Sequence, residues 1–280
     1  MRRVVAVIGG AGSLGKNLCR MALDSGFRIL AVDSDENRLA LLCRCFPPTE
    51  GHLLDVRDTA GVLSLVKRTG VTTIVNCAAR KHVGWCEQNA QDAVEINAMA
   101  SMALTAALAD AMPQCRYVYI GTDKSVNPIC SYAMSKLLGE RDALNRGHSV
   151  VRGVNFLFSG GSVLDIWQSQ LAAGLAFNVV TNPDCTRFCM PLNDMAALVW
   201  QAVLSGKAGM FYPQHVYRIS PKALFDGFCI MAGVTNPPVV EIPLSPGEKV
   251  TEDLDFAAAV TVLTDPVAVA SLLRKAVVWK

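Results

Sequence analysis

The stretch Val4-Val-Ala-Val-Ile8-Gly9-Gly10-Ala-Gly12-Ser-Leu-Gly15 decides the fold of this 280-residue chain. Five apolar residues predict a buried β-strand, four glycines within seven residues predict a tight turn, and a helical pattern begins at about Leu14. Glycines between a first strand and a first helix let the backbone approach a pyrophosphate, which the positive end of the helix can bind. This order predicts the first βα unit of a dinucleotide-binding sheet.

The rest of the chain repeats the alternation of short β-branched runs with helical patterns. Strands are predicted at Val4–Ile8, Arg28–Val32, His52–Leu54, Thr73–Asn76, Tyr117–Ile120 and Val150–Val154, and helices through Leu39–Leu42, over Ala93–Ala111 and from Tyr132. Parallel strands with right-handed helical crossovers give an α/β fold with a Rossmann-type doubly wound sheet. We expect a dinucleotide-binding domain over 1–154 and a smaller C-terminal substrate-binding lobe over 155–280, with strands and helices interleaved into the first domain.

The composition of the chain argues against nucleic acid and membranes as binding partners. The net charge is only +2 and 18% of residues are charged, so nothing indicates nucleic acid or an anionic membrane. The apolar run after Met1 is too short for a signal peptide or a membrane span, and a cytoplasmic protein is expected. The ten cysteines are scattered, which indicates buried free thiols. Cys43-x-Cys45 and Cys185-x-x-x-Cys189 lack a second pair nearby, so no metal site is predicted.

Acidic residues at strand ends define the expected cofactor site. Asp33 ends the second strand, where a carboxylate accepts both ribose hydroxyls and repels a 2′-phosphate, so NAD is favoured over NADP. Asp55 and Val56 follow the third strand, where the adenine is expected, although Asp55 also fits a solvated loop acid. Asn97 either orients Lys136 through water or is a surface residue. The expected cofactor contacts are Gly9, Gly12, Ser13, Leu14, Gly15, Asp33, Asp55, Val56, Ala78, Ala79 and Asn97.

Candidate catalytic groups lie within fifteen residues of one another. Thr122-Asp123-Lys124 is followed eight residues later by Tyr132-Ala-Met-Ser-Lys136. Tyr132 and Lys136 share one helix face, so the ammonium can stabilise a phenolate that takes a hydroxyl proton while hydride leaves the same carbon. Asp123 beside Lys124 supplies an acid and a base. The alternatives are an ordinary amphipathic helix and a solvated ion pair.

With these parts together, the chain resembles the extended short-chain dehydrogenase/reductase family. Within that family it is similar to the polysaccharide-biosynthesis branch of nucleotide-sugar 4,6-dehydratases, including the UDP-N-acetylglucosamine inverting type. The segments that carry the resemblance are GGAGSLG at 9–15, DVRD at 55–58, AARKHVGWCEQN at 78–89, GTDKSVNP at 121–128, YAMSK at 132–136, TRFCM at 186–190 and PGEKVTEDL at 246–254. Membrane-bound members carry helices ahead of this domain, and the chain resembles the soluble type.

The resemblance implies a role for each catalytic group. Tyr132 would take the O4 proton as hydride leaves C4, with Thr122 bonded to that oxygen and Lys136 on the cofactor ribose. Lys124 would then remove the C5 proton and Asp123 would protonate the departing C6 hydroxyl. Hydride returns to C6, so the NAD or NADP is held tightly. The expected substrate is a UDP-sugar such as UDP-N-acetylglucosamine; the alternatives are a nucleotide-sugar 4-epimerase and a non-catalytic NAD(P)-binding protein.

The chain departs from the family at the nucleotide end of the substrate. Gly160 and Ser245 stand where relatives usually carry arginine, whose fork suits phosphate. Either Lys81, His82, Arg80 and Arg187 compensate for them, or the substrate differs from the usual UDP-sugar. Arg187 alternatively forms a salt bridge between the lobes. The substrate contacts expected on the family pattern are Lys81, His82, Asn155, Ser162, Arg187 and Glu248. Superfamily members commonly pair through helices such as 93–111 and 132–146, so a homo-oligomer is expected.

Overall fold

The structure is a computed structural model that describes residues 3–277; Met1, Arg2 and the end of the chain from 278 to 280 lie outside the described residues. Strands and helices alternate through most of the chain. Their bounds are β1 Val4–Ile8, α1 Ser13–Asp24, β2 Arg28–Asp33, α2 Glu36–Cys45, β3 Glu50–Leu53, α3 Thr59–Thr69, β4 Thr73–Asn76, α4 Val83–Gln88, α5 Ala90–Val94, α6 Ala100–Ala111, β5 Arg116–Thr122, α7 Ser131–Asn145, β6 Ser149–Gly153, β7 Asn155–Leu157, α8 Val163–Ala172, β8 Phe177–Val180, β9 Arg187–Pro191, α9 Leu192–Ser205, β10 Gly209–Phe211, β11 His215–Ile219, α10 Pro221–Ala232, β12 Val239–Ile242, β13 Ala259–Leu263 and α11 Pro266–Ala276.

The central sheet confirms the predicted fold class. Within the described residues it has seven strands in the order β10-β6-β5-β4-β1-β2-β3, and neighbouring strands pair in parallel. The order reverses beside β1, as in a doubly wound sheet, and places the ends of β1, β4 and β5 at one edge.

Predicted bounds differ from the structure by one or two residues in β2, β5 and β6, and two further elements also differ. The strand expected at His52–Leu54 is Glu50–Leu53, because its parallel pairing with β2 extends back to Leu30 opposite Glu50. The helix expected over Ala93–Ala111 is helical from Ala90, but a π-helical turn at Glu95–Met99 separates α5 from α6. Such turns recur at functional sites, and this one contains Asn97.

The alternation of side chains along β1 explains the two layers of helices. Val5 and Val7 point into a core that includes residues of α1 and α9. Ala6 and Ile8 point into the opposite core, which includes residues of α3 and α6. A strand buried on both faces reads as a continuous apolar run, which is why β1 was visible in the sequence.

Elements after Asn155 build both the large sheet and a separate core. β10 pairs with β6, and α9 covers the large sheet, so these two elements belong to the nucleotide-binding layer structure. The other strands form a sheet in the order β13-β11-β9-β7 and a pair β12-β8. Their core packs around Trp167, Phe177 and Phe228. A division into 1–154 and 155–280 stays a proposal.

Across residues 3–277 no helix combines the length and apolar character needed to cross a membrane. The cysteines are free thiols, most of them buried, while Cys45 is exposed. In the same part of the chain, no group of histidine, cysteine, aspartate and glutamate side chains is arranged to hold a metal ion.

Candidate active site

The glycine turn between β1 and α1 is shaped by close backbone approaches. Gly9 has φ +73°, and a Cβ added there would lie 2.7 Å from the backbone nitrogen of Ala78, which follows β4. A Cβ on Gly15 would lie 2.2 Å from the carbonyl oxygen of Gly9. The backbone nitrogens of Gly9 and Gly10 both donate to Val32 O, at 2.8 and 3.1 Å. Only glycine fits these positions, and the resulting cradle at the start of α1 suits a pyrophosphate.

Asp33 is fixed beside that cradle. Its Oδ2 accepts a hydrogen bond from the backbone nitrogen of Ala11 at 2.9 Å, and its Oδ1 accepts one from Asp35 at 3.1 Å. The carboxylate therefore sits between the glycine turn and the start of α2. A fixed anion at this point can accept ribose hydroxyls, and it opposes a phosphate in the same place. The residues present thus fit a dinucleotide.

Asp55 and Val56 follow β3 at the same edge of the sheet. Arg57 binds the Asp55 carboxylate through two nitrogens, at 3.0 and 2.7 Å, and these hydrogen bonds hold the pKa of Asp55 below its usual value. Val56 is buried in the core beside β1 and β2. The ion pair matches the alternative of a loop acid, while contact between these residues and adenine stays a prediction.

Asn97 is 1% exposed, so the alternative of a surface residue is wrong. Its Nδ2 donates to Arg80 O and Ser135 Oγ, and its Oδ1 accepts from Arg80 N at 2.8 Å. The amide therefore ties the segment after β4, which contains half-buried Ala78 and Ala79, to α7. Orientation of Lys136 by Asn97 through water stays a prediction.

Tyr132, Lys136 and Thr122 lie together where β5 meets α7. Lys136 is 3% exposed, and its Nζ lies 4.2 Å from the centre of the Tyr119 ring. Burial lowers the pKa of Lys136 to about 8, against the opposing effects of Glu140 and Cys77. Burial raises the pKa of Tyr132 to about 12, while the charge of Lys124 and a hydrogen bond with Thr122 act to lower it. Lys124 is thus a cation that favours the phenolate, and the predicted contribution of Lys136 stays a prediction.

A buried ionic cluster surrounds Lys124. Its Nζ lies 3.5 Å from Asp123 Oδ1, 3.3 Å from Glu252 Oε1 and 3.1 Å from Asn155 Oδ1. Burial lowers the pKa of Lys124, but Asp123 and Glu252 more than offset that effect, and the pKa lies well above its usual value. Asp123 is fully buried and accepts from Thr122 Oγ1 at 3.1 Å. The alternative of a solvated pair is therefore wrong.

The expected substrate residues fall into two groups. Asn155 bonds Lys124 and donates to Phe188 O, and Arg187 lies beside this cluster with NH2 3.8 Å from Glu248 Oε2. Both members of that pair belong to the C-terminal part, so Arg187 does not join the two expected lobes through Glu248. Arg187 NH1 also donates to Val250 O at 3.0 Å.

The second group lies next to the glycine turn. Lys81 Nζ donates to the carbonyl oxygen of Gly160, and Gly160 N donates to Ser13 Oγ at 2.8 Å. The His82 ring lies where a Cβ on Gly161 would meet it, at 2.8 Å. Ser162 caps α8 by accepting from Asp165 N at 3.4 Å. Gly160 thus contacts the first turn of α1 through its backbone nitrogen and Lys81 through its carbonyl oxygen.

Sequence reasoning missed Glu252 and Glu140. Glu252 lies within the quoted PGEKVTEDL segment, which was the available signal, and lines a cavity of ≈10 Å³ with Lys124, Cys130 and Lys249. Glu140 lies one turn after Lys136, accepts from Thr122 N at 3.2 Å and binds Arg152 of β6. It therefore supports both the end of β5 and the charge of Lys136.

Comparison with known proteins identifies relatives along most of the chain. A family model described as polysaccharide biosynthesis protein matches residues 5–265. An uncharacterized membrane protein of Methanocaldococcus jannaschii is 30% identical over 276 residues, covering 90% of this chain and 80% of the relative. The probable polysaccharide biosynthesis protein EpsC of Bacillus subtilis is 28% identical over 271 residues, covering 90% of this chain; the chain spans 45% of EpsC. A UDP-glucose 4-epimerase of Rickettsia conorii is 28% identical over 247 residues, covering 81% of this chain and 71% of the relative.

Solved structures share the architecture. Pen from Bacillus thuringiensis has a TM-score of 0.83 at 25% identity, covering 89% of this chain and 82% of Pen. DesIV, a dTDP-glucose 4,6-dehydratase from Streptomyces venezuelae solved with NAD bound, has a TM-score of 0.80 at 19% identity, covering 90% of this chain and 88% of DesIV. At 19% identity, the similarity to DesIV shows a shared fold and nothing further.

Proposed function

The chain belongs to the polysaccharide biosynthesis protein family of extended short-chain dehydrogenases/reductases, and from that membership we propose that it is an NAD-dependent nucleotide-sugar 4,6-dehydratase. The observation that carries the proposal is the buried pairing of Asp123 with Lys124 beside Tyr132. Oxidation at C4 needs a base such as Tyr132 and a bound dinucleotide. An additional acid and base are needed only when water is eliminated.

The residues divide the work between two steps. Tyr132 takes the proton of the C4 hydroxyl, Thr122 forms a hydrogen bond with the same oxygen, and Lys136 binds the cofactor ribose. Lys124 removes the C5 proton, which the new C4 ketone makes acidic, and Asp123 protonates the C6 hydroxyl as it leaves as water. Bound NAD supplies the hydride acceptor at C4 and the hydride donor at C6.

The proposal extends to the cofactor and the sugar. Asp33 favours NAD over NADP because it places an anion beside the glycine turn. Asn155, Arg187 and Glu248 would contact the sugar, because Asn155 binds Lys124 directly and Glu248 pairs with Arg187. Lys81, His82 and Ser162 would contact the diphosphate beside Gly160. A UDP-sugar such as UDP-N-acetylglucosamine is the proposed substrate, with 155–280 supplying most of its contacts.

A 4-epimerase is the second candidate, because a relative named UDP-glucose 4-epimerase is 28% identical to this chain. An epimerase shares oxidation at C4 but returns hydride to the same carbon. The buried Asp123–Lys124 pair then has no step to perform. A binding protein without catalysis would use none of the Tyr132, Lys124 and Asp123 chemistry.

Mass spectrometry together with proton NMR of a panel of UDP-sugars and dTDP-sugars distinguishes the candidates. The protein is incubated with NAD and each sugar, with Tyr132→Phe as the control. Loss of one water in the wild type alone supports the dehydratase. A new C4 epimer with unchanged mass would establish the epimerase instead, and an unchanged panel together with NAD binding would favour a binding protein.

We also propose that the protein is a homo-oligomer. Met99 and Met102, in the π-helical turn and α6, are exposed apolar residues, as are Met134 and Leu138 in α7. Neighbouring helices with uncovered apolar residues bury them by pairing with a second copy. Light scattering at micromolar concentration should give a multiple of the chain mass, and a monomer would refute the proposal.

A further inference from the structure

The loop formed by residues 245–253 carries Glu252 into the site. Lys249 Nζ donates to Val126 O at 2.7 Å, which pins this loop to the turn that follows Lys124. Thr186 N donates to Val250 O at 3.1 Å and fixes the loop on its other side. A Cβ on Gly247 would lie 2.9 Å from Cys130 Cβ, so the loop also packs closely on the start of α7. The position of Glu252 is therefore built by several independent contacts.

The side chain of Glu252 is 1% exposed, and its Oε1 lies 3.3 Å from Lys124 Nζ. Its Oε2 is buried without a hydrogen-bond partner within the described residues, as is Oδ2 of Asp123. A buried carboxylate is costly unless it is paired, and Lys124 is the cation that pairs both. The Lys124 ammonium donates a hydrogen bond to Asn155 Oδ1 and forms ion pairs with the carboxylates of Asp123 and Glu252.

This arrangement constrains how Lys124 acts as a base. An ammonium has no lone pair, so a proton must leave Lys124 before it takes the one on C5. Transfer to Asp123 breaks an N–H bond and forms an O–H bond, which creates the base and the acid together. Lys124 then takes the C5 proton, the C–H electrons form the C5–C6 double bond, the C6–O bond breaks, and Asp123 protonates the hydroxyl as water. Both groups return to their starting charges.

We propose that Glu252 is a positioning residue for this elimination: its carboxylate remains the counter-ion of Lys124 while the proton moves between Lys124 and Asp123. The inference rests on the dehydratase proposed above. Positive charge develops on Lys124 as it takes the C5 proton, and a fixed anion 3.3 Å away stabilises that charge. Asn155 and Glu252 also keep Nζ in place when its contact to Asp123 weakens.

The charges around Lys124 determine the direction in which its pKa changes when Glu252 is replaced. Asp123, Glu252 and Tyr132 favour its ammonium form and Arg187 disfavours it, while Cys130 and Cys189 are thiols that also face it. Removing the negative charge of Glu252 therefore lowers the pKa of Lys124. The free amine then exists at lower pH, but it is a weaker base.

Carbon-13 NMR of labelled lysine side chains measures this pairing without substrate. The Lys124 signal, assigned with Lys124→Arg, is titrated in wild type, Glu252→Gln and Asp253→Asn. Asp253 is the matched control because it is the next carboxylate of the loop and faces Asn127 and Lys249. In Glu252→Gln the titration should begin ~1 pH unit or more lower, whereas Asp253→Asn should behave as wild type. Glu252→Asp retains the charge and should also titrate near wild type.

Turnover then tests the role in elimination. Glu252→Gln should still reduce the cofactor on adding substrate, but elimination should slow ~10-fold or more, because Lys124 is a weaker base without this counter-ion. An unchanged Lys124 titration in Glu252→Gln would overturn the pairing whatever the reaction is. A shifted titration with unchanged elimination would overturn the positioning role. If wild type dehydrates no sugar while the titration shifts, the dehydratase proposal fails, and the role in elimination fails with it.

Discussion

Two places along the carboxyl edge of the central sheet are built in opposite ways. After β1, the backbone itself makes the site, because Gly9 and Gly15 bring main-chain atoms so close that a Cβ does not fit. After β5, side chains make the site, and Lys124 is held by Asn155 and Glu252 from distant parts of the chain. The first place depends on shape and the second on charge, so they should respond differently to substitution.

Tyr132→Phe should have the largest effect, because it removes the base for C4 oxidation while keeping the ring. We expect a loss of ~10²–10⁴-fold in turnover and no reduced cofactor on adding substrate. Absorbance of the reduced nicotinamide in a single turnover measures the step directly. Binding of NAD should persist, since the glycine turn is untouched. Reduction at the wild-type rate would remove Tyr132 from the mechanism.

Lys124→Ala should separate oxidation from elimination. Hydride should still leave C4, since Tyr132 and Lys136 remain, but more slowly, because Lys124 no longer favours the Tyr132 phenolate. The C5 proton then has no base, so reduced cofactor accumulates without dehydrated sugar. A loss of ~10² or more in dehydration is expected. Lys222→Ala is the control, because Lys222 forms an exposed pair with Asp226 on α10. Dehydrated sugar in wild-type amounts from Lys124→Ala would show that another group is the base.

The same contrast separates the features that a local sequence pattern could predict from those that depend on contacts between distant parts of the chain. β1 and β4 have the predicted bounds because a strand buried on both faces is a local apolar run. β3 begins earlier than predicted because its parallel pairing with β2 extends back to Glu50, opposite Leu30. Tyr132 and Lys136 could be found from helical spacing. The segment that contains Glu252 could be found from the family pattern at 246–254, but its pairing with Lys124 could not, because the loop has no periodicity and meets Lys124 only in the folded chain.

Gly15→Ala should disrupt the glycine turn after β1 through a steric clash. Its Cβ would lie 2.2 Å from Gly9 O, whereas a Cβ at Gly12, in the same turn, would lie 3.2 Å from that oxygen. Relief of such a clash requires the backbone to shift, which typically costs ~1–3 kcal/mol of unfolding free energy. Chemical denaturation should show that loss for Gly15→Ala and a smaller one for Gly12→Ala. Equal stability of the two variants would contradict a turn set by backbone approach.

Asp33→Asn should have the smallest effect, because it removes a charge beside the glycine turn after β1, whose conformation depends mainly on backbone packing. The amide oxygen can still accept from Ala11 N, so the turn should keep its conformation. Without the anion, the preference for NAD over NADP should fall about tenfold, equivalent to ~1.4 kcal/mol. Competitive binding titrations measure the preference, and Asp35→Asn is the control, since the Asp35 carboxylate caps α2 through Arg38 N. Tighter binding of NADP than of NAD by wild type would refute the role of Asp33, and the cofactor end of the site would then depend on shape alone.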